Sequence, residues 1–411
     1  MAGGQTIVTS ARLIDGTGSE PIPDAVVVIE NGVISEVGSA ADSRSRARES
    51  SVEVIDGGNR TILPGYIDGH VHLFLDSDGK SLAYRDWEYE ETSLLWGLHW
   101  AQKALDNGIT TLADCGAKGD LGFILKEMLR SSLVVGPDLL VSGPALTTTA
   151  GHGYHIIGWE VDSVDELRGA VRRLAKQGAD FIKIMATGGF LTPVSNRRRA
   201  QYSVRELEAV VEDAHRLRRK VRAHAHATEG IRSCVRAGVD AIAHCNWLGE
   251  KEGTIDYDED TVQEMVEKGL YVDMNTGGVF RTLASRDGGA QDWGIATRWD
   301  LIRRMREAGV KVFLSTDGMG DRVPTLPENL VKMVQEAKAS VQEVVAMTTS
   351  IAAEGLGIAD EVGSIEEGKT ADLILVDGNP LDDAAALARV DIVMKRGKVV
   401  VREGHRTLSS I

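Results

Sequence analysis

The sequence predicts an α/β fold: a distorted (β/α)8 TIM barrel carrying a small β-sandwich made from both termini. Three observations predict it. Through the middle of the 411-residue chain, short apolar runs alternate with helix-patterned stretches, as parallel βα units require. Eight such runs occur, and eight strands close a barrel. Each end of the chain carries further short Val/Ile-rich runs, separated by turn dipeptides rather than helices. The length suits a barrel of about 250 residues with a smaller unit beside it.

The elements follow in order. Before residue 62, the runs 25–29, 33–37 and 52–55 are punctuated by Asp15-Gly16, Asn31-Gly32 and Asp56-Gly57, which are hairpin and turn signals. The barrel strands are expected at 62–67, 110–113, 139–142, 181–185, 221–225, 241–244, 271–275 and 312–316. Ser203 with Glu206 and Ser340 with Glu343 are capping boxes, and Val164, Leu167, Val171 and Leu174 recur at helical spacing. Gly178, Gly238, Gly269 and Gly309 each end a helix before a strand. Beyond the barrel, runs at 371–376, 392–394 and 398–401 flank Asp377-Gly378 and Arg396-Gly397. Neither terminal set closes a core alone, so the two are expected to pair. The units are then 1–62 and 359–411 for the sandwich and 63–358 for the barrel.

Composition excludes several roles. The formal net charge of −15 argues against nucleic acid and anionic membranes as partners, because phosphate binding needs clustered Lys and Arg. Arg197-Arg198-Arg199 is the local exception, in a loop where it meets an anionic substrate group or solvent. No apolar stretch approaches the roughly 20 residues of a membrane span, and residues 1–7 lack a basic segment followed by an apolar one, so a cytoplasmic protein is expected. Three scattered cysteines are too few for a disulfide framework or a CxxC metal site.

The chemistry begins with His70-Val71-His72, which ends the first barrel run. In a strand, alternate side chains share a face, so both imidazoles can grip one cation. Lys183, His224, His244 and Asp317 stand near the C-terminal ends of other predicted strands, and in a barrel all these ends meet at one face. Imidazole and carboxylate suit Zn²⁺ and related divalent ions. A desolvated lysine amine is favoured in its neutral form and can add CO2, giving a carbamate anion able to bridge two metals. The arithmetic then works: His70, His72 and Asp317 for one ion, His224 and His244 for the other, with carboxylated Lys183 and a hydroxide shared. Asp317 is the expected general base and acid.

With Leu63-Pro64-Gly65-Tyr66-Ile67-Asp68-Gly69 and the late stretch 363–373, this pattern resembles the amidohydrolase superfamily over nearly the whole chain. Thr187-Gly188-Gly189, Arg199-Ala200-Gln201-Tyr202-Ser203 and His224-Ala225-His226 are similar to its binuclear-zinc branch of Xaa-Pro dipeptidase-like carboxypeptidases, N-acyl amino acid hydrolases, ochratoxin-degrading amidases and carbamate or phenylurea hydrolases. The resemblance implies His224 as the ligand and His226 as a substrate-facing catalytic residue. It also implies cofactors of two divalent ions, Zn²⁺ first among them, with CO2 on Lys183. Ala227 stands where deaminases and imidazolone hydrolases of the superfamily carry Glu, which argues against deamination.

Loops set the substrate. Glycines flank His152, which is expected to hydrogen-bond the scissile carbonyl oxygen, and Tyr154 follows it as a substrate contact. Tyr84, Trp87, Tyr89, Phe280, Trp293 and Trp299 suggest aromatic walls. Arg199 is expected to pair with an α-carboxylate. The substrate is then a small-molecule amide, an N-acyl amino acid or dipeptide. The alternatives are a carbamate or phenylurea xenobiotic, and a non-catalytic scaffold of the same fold. A homo-oligomer is the default for the fold.

Overall fold

In a computed structural model the described residues are 5–39, 52–76, 90–276, 295–337 and 339–407. Eight strands form the barrel: Tyr66–His72, Ile109–Asp114, Asp138–Val141, Phe181–Met185, Lys220–Ala227, Ala241–Leu248, Tyr271–Asn275 and Lys311–Ser315. Each matches an expected run, and every pairing within this set is parallel.

The ring is distorted, because its hydrogen bonds fall into two sheets. The first three strands form one, and the fourth to the eighth form the other. After the eighth strand, Gly318–Met319 pairs with Val71 and His72, which draws that end of the chain onto the first strand. At the other junction, the short strand Ala145–Thr147 inserts beside the fourth strand through Leu146 and Ile184.

Helices seat between strands as their patterns require. Val164–Gln177 buries Leu167, Ala170, Val171 and Leu174 on one face, and Ser163, Ser203 and Ser340 all close capping boxes with the Glu three residues on. The Ser163 box is an addition to the two read from sequence. Leu167, Val171 and Leu174 are fully buried, each worth about 1.5–3 kcal/mol relative to exposure. Gly69 marks where backbone must approach a ring closely: a Cβ there would stand 2.6 Å from Phe313, so only glycine lets the strand carrying His70 lie against it.

The two termini join as expected, but as one continuous nine-stranded sheet rather than two separately bonded layers. The expected first run 62–67 also divides. Thr61–Pro64 belongs to this terminal sheet, antiparallel to Leu373–Val376, and Tyr66–His72 belongs to the barrel. Val8, Leu13, Val27 and Ile29 share one buried cluster with Leu373, Leu375, Ile392 and Met394, so neither terminus has a core without the other. Lys395 ties the sheet to the barrel: its buried ammonium donates to the Thr110 carbonyl at 3.1 Å, to Asp138 at 2.7 Å and to Asp372. Cys115, Cys234 and Cys245 are buried and free, and no described helix is long and apolar enough to cross a membrane.

Candidate metal centre

At the C-terminal ends of the strands the structure brings together His70, His72, Lys183, His224, His244 and Asp317, all lining one cavity. Strand alternation aims His70 and His72 the same way, with ring centroids 5.2 Å apart. The Nε2 atoms of His70 and His72 lie 3.5 and 3.4 Å from Oδ1 of Asp317. Lys183 is 1% exposed, and its Nζ stands 3.3 Å from Nε2 of His70. Across the cavity, Nε2 of His244 is 2.8 Å from Nδ1 of His224. His226 lies in the same cluster, its ring 4.5 Å from those of both His224 and His244.

Backbone strain concentrates where these ligands are aimed. His244, Cys245, Trp247 and Asp317 all have left-handed backbones, with φ of 68°, 47°, 56° and 52°. Such conformations cost on the order of 1 kcal/mol or more per non-glycine residue and persist only where packing over-determines them. Here the register shifts between Ala225 and Ala227, so that four steps of the sixth strand, from His244 to Leu248, face two steps of its neighbour. The shift sets Asn246 against Nδ1 of His226 at 2.8 Å.

Two groups of potential ligand atoms, His70/His72/Asp317 and His224/His226/His244, each lie within 4.8 Å of one another. The donor set fits divalent transition ions. Burial drives His70 down to about 4 and His152 to about 3, and pushes His224, His226 and His244 well below their ordinary value, so these imidazoles are neutral lone-pair donors. Burial also lowers Lys183, favouring its neutral amine. Nδ1 of His72 and of His244 is buried without a hydrogen-bond partner among the described residues. For His224 the tautomer follows from its neighbours. Nε2 lies 3.1 Å from the Gly188 carbonyl, an acceptor only, so Nε2 carries the hydrogen and Nδ1 keeps its lone pair.

His152 also lines the cavity, its ring 4.5 Å from that of His224 and tilted against it, with its backbone N–H bonded to Gln201 at 2.7 Å. The walls are apolar, formed by Ile157, Met185, Phe190, Leu191 and Met319. Tyr154 and Arg199 are not brought to this cavity. Tyr154 is 38% exposed and tilts against His155, whereas Arg199, half exposed, pairs with Glu250 at 3.1 Å and Glu229 at 3.8 Å. Of the proposed aromatic walls, Tyr84, Trp87, Tyr89, Phe280 and Trp293 lie outside the described residues, and Trp299 donates to Glu336. Sequence reasoning missed Arg222, Asp273 and Asn246, all buried beside the cluster. The available signal was a charged residue inside each of the apolar runs 221–225 and 271–275.

A barrel whose strand ends gather imidazoles, a buried lysine and a carboxylate has the architecture of a metal-assisted hydrolase. The profile of the amidohydrolase family matches residues 61–400, and the chain belongs to that family. It is 28% identical to the ochratoxinase of Aspergillus niger, over 96% of this chain and 86% of that protein. It is 27% identical to the imidazolonepropionase of Shouchella clausii, over 92% and 86% of the two chains. Among solved structures it is similar to a Xaa-Pro dipeptidase with methionine bound in its active site, at a TM-score of 0.84 and 28% identity, covering 96% of this chain and 99% of that one. The protein is an enzyme, a hydrolase acting on carbon–nitrogen bonds, which sets aside the scaffold reading.

Proposed function

We propose that the enzyme is a binuclear amidohydrolase that cleaves the amide bond of an N-acyl amino acid or a dipeptide. The observation that carries this reading is the meeting of His70, His72 and Asp317 with His224 and His244 around the buried amine of Lys183. The first three would hold one divalent ion and the two histidines the other, Zn²⁺ being the first choice. Lys183 would contribute to both: its neutral nitrogen forms a bond to the carbon of CO2 and loses a proton, leaving a carbamate anion. When bound, the ions polarise the scissile carbonyl and lower the pKa of the attacking water.

The protein's own residues carry the rest. Burial works to raise the Asp317 carboxyl, but contacts that include a hydrogen bond from His72 keep it below its ordinary value. It is therefore an ionised base that takes a proton from the attacking water and passes it to the departing nitrogen. His152, neutral and held between Gly189 and His224, donates a hydrogen bond to the carbonyl oxygen as charge develops there. His226 faces the substrate, close to Phe190.

The apolar walls suit an apolar acyl or aromatic group. Similarity to a Xaa-Pro dipeptidase holding methionine supports an amino acid as one product. A carbamate or phenylurea would fit the same apolar walls, and a substrate panel separates the two readings. Protein of measured metal content is offered N-acyl amino acids, dipeptides, carbamates and phenylureas. Turnover confined to the first two classes supports the proposal, and turnover confined to the last two refutes it.

A further inference from the structure

We propose that Asp273, held by Arg222 and Ser315 beneath the cavity, is the positioning residue that fixes His70 as a ligand. The inference rests on the metal-centre reading of the same cavity. Asp273 is wholly buried on the seventh strand. Its Oδ2 lies 2.8 Å from Nδ1 of His70 and 2.8 Å from Nη2 of Arg222, and the Ser315 hydroxyl donates to its Oδ1. Ser315 is oriented in turn by Asn275, whose amide donates to Oγ at 2.9 Å.

A carboxylate only accepts, and at 2.8 Å Asp273 is nearer Nδ1 of His70 than the Asn275 amide nitrogen at 3.2 Å, so the neutral ring carries its hydrogen on Nδ1. The lone pair is then on Nε2, the atom that faces Lys183 and Asp317. The same device reaches the backbone. Arg222 also donates to the carbonyl of Gly69, the residue before His70, and its guanidinium carbon lies 4.8 Å from the Phe181 ring centroid and 5.7 Å from that of Phe313. Arg222 thus pins the strand while Asp273 pins the ring.

Stability alone is a weak reason for such a pair, since buried ion pairs are often replaceable by apolar residues of similar volume without loss. Ligand orientation is a stronger one, because partners behind a metal-binding histidine typically matter 10–100-fold in metal affinity.

The test uses the full chain with metal affinity read by chelator competition, together with the visible spectrum of the Co²⁺-loaded protein. Circular dichroism of each metal-free variant reports folding. Asp273→Asn is expected to weaken one ion per chain by about 10–100-fold and to alter the Co²⁺ spectrum. The double variant Arg222→Met/Asp273→Leu leaves neither charge unpaired, and it is expected to stay weak while folded. Ser315→Ala, a single lost hydroxyl, is expected to lower affinity several-fold and decides the matter if the double variant does not fold. A folded double variant with wild-type affinity overturns the proposal, because charge balance alone would then have sufficed. So does a Ser315→Ala variant within twofold of wild type. Wild-type protein without tightly held ions would instead refute the metal-centre reading itself, an outcome distinct from variants that match a metal-replete parent.

Discussion

Gly189→Ala tests the role of His152 without touching any proposed metal ligand. A Cβ at Gly189 would stand 2.4–2.5 Å from three atoms of the His152 ring, where ordinary contact begins near 3.4 Å. The ring cannot simply retreat, because the tilted ring of His224 lies 4.5 Å from it and Gln201 anchors its backbone N–H at 2.7 Å. A displacement of about 1 Å at a group that must meet the carbonyl oxygen costs about 100-fold in rate, or roughly 2.7 kcal/mol. The assay is kcat and kcat/KM on the best substrate of the panel, with bound metal measured in the same samples. Metal content should match wild type while kcat falls about 100-fold. The cycle with His152→Ala is decisive: if the methyl acts only by displacing His152, adding Gly189→Ala to His152→Ala should cost almost nothing further. A Gly189→Ala enzyme within threefold of wild type, or losses that multiply in the double variant, would refute the reasoning.

Four more outcomes follow from the same geometry. Asp317→Asn should lower kcat by about 10²–10⁴-fold with its fold retained, and a loss under tenfold would remove it from proton transfer. Dialysis against a chelator should abolish turnover and lower Tm, both restored by adding Zn²⁺; an unchanged Tm and rate would exclude a bound ion. Arg199→Glu should leave kcat/KM within about threefold for every substrate, since an exposed ion pair is worth about 0–1 kcal/mol and Arg199 is engaged by Glu250 and Glu229; a tenfold rise in KM for carboxylate substrates alone would restore it as their anchor. Lys395→Met should cost about 3–5 kcal/mol in denaturant unfolding, because it leaves buried Asp372 without its cation in the joint between terminal sheet and barrel. Burial works against the Lys395 charge, but Asp372 and Asp138 raise it above its ordinary 10.5, so its stabilising contribution is complete below that pH and fades as pH climbs through the higher folded value. Melting curves from pH 8 upward should show this alkaline loss in wild type and a weaker one in the variant.

Periodicity along the chain was enough to locate seven of the eight barrel strands and to mark the start of the first, because the alternation of apolar runs with capped helices is a local signal that each segment carries by itself. The same two-residue period made His70 and His72 readable as a pair, and the position of Lys183, His224, His244 and Asp317 at strand ends made them candidates. Reading failed where a contact joins distant strands. The approach of Asp273 to His70 spans 203 residues, and nothing in the run 271–275 says which side chain lies across the barrel. The direction of Arg199 was unreadable for a different reason. A loop arginine is recognisable by type, but its direction depends on Glu250 in another loop and on Glu229 in the first turn of a helix.

What the chain determines by itself is therefore a βα barrel with ligand-type side chains at one face, since strand period and helix caps act over a few residues. Tertiary structure alone decided which nitrogen of His70 and His224 carries the hydrogen, how the left-handed turn at His244 aims its ring, and that both termini share one sheet. Those depend on atoms far apart in sequence that only the folded chain brings together, and no local pattern encodes them.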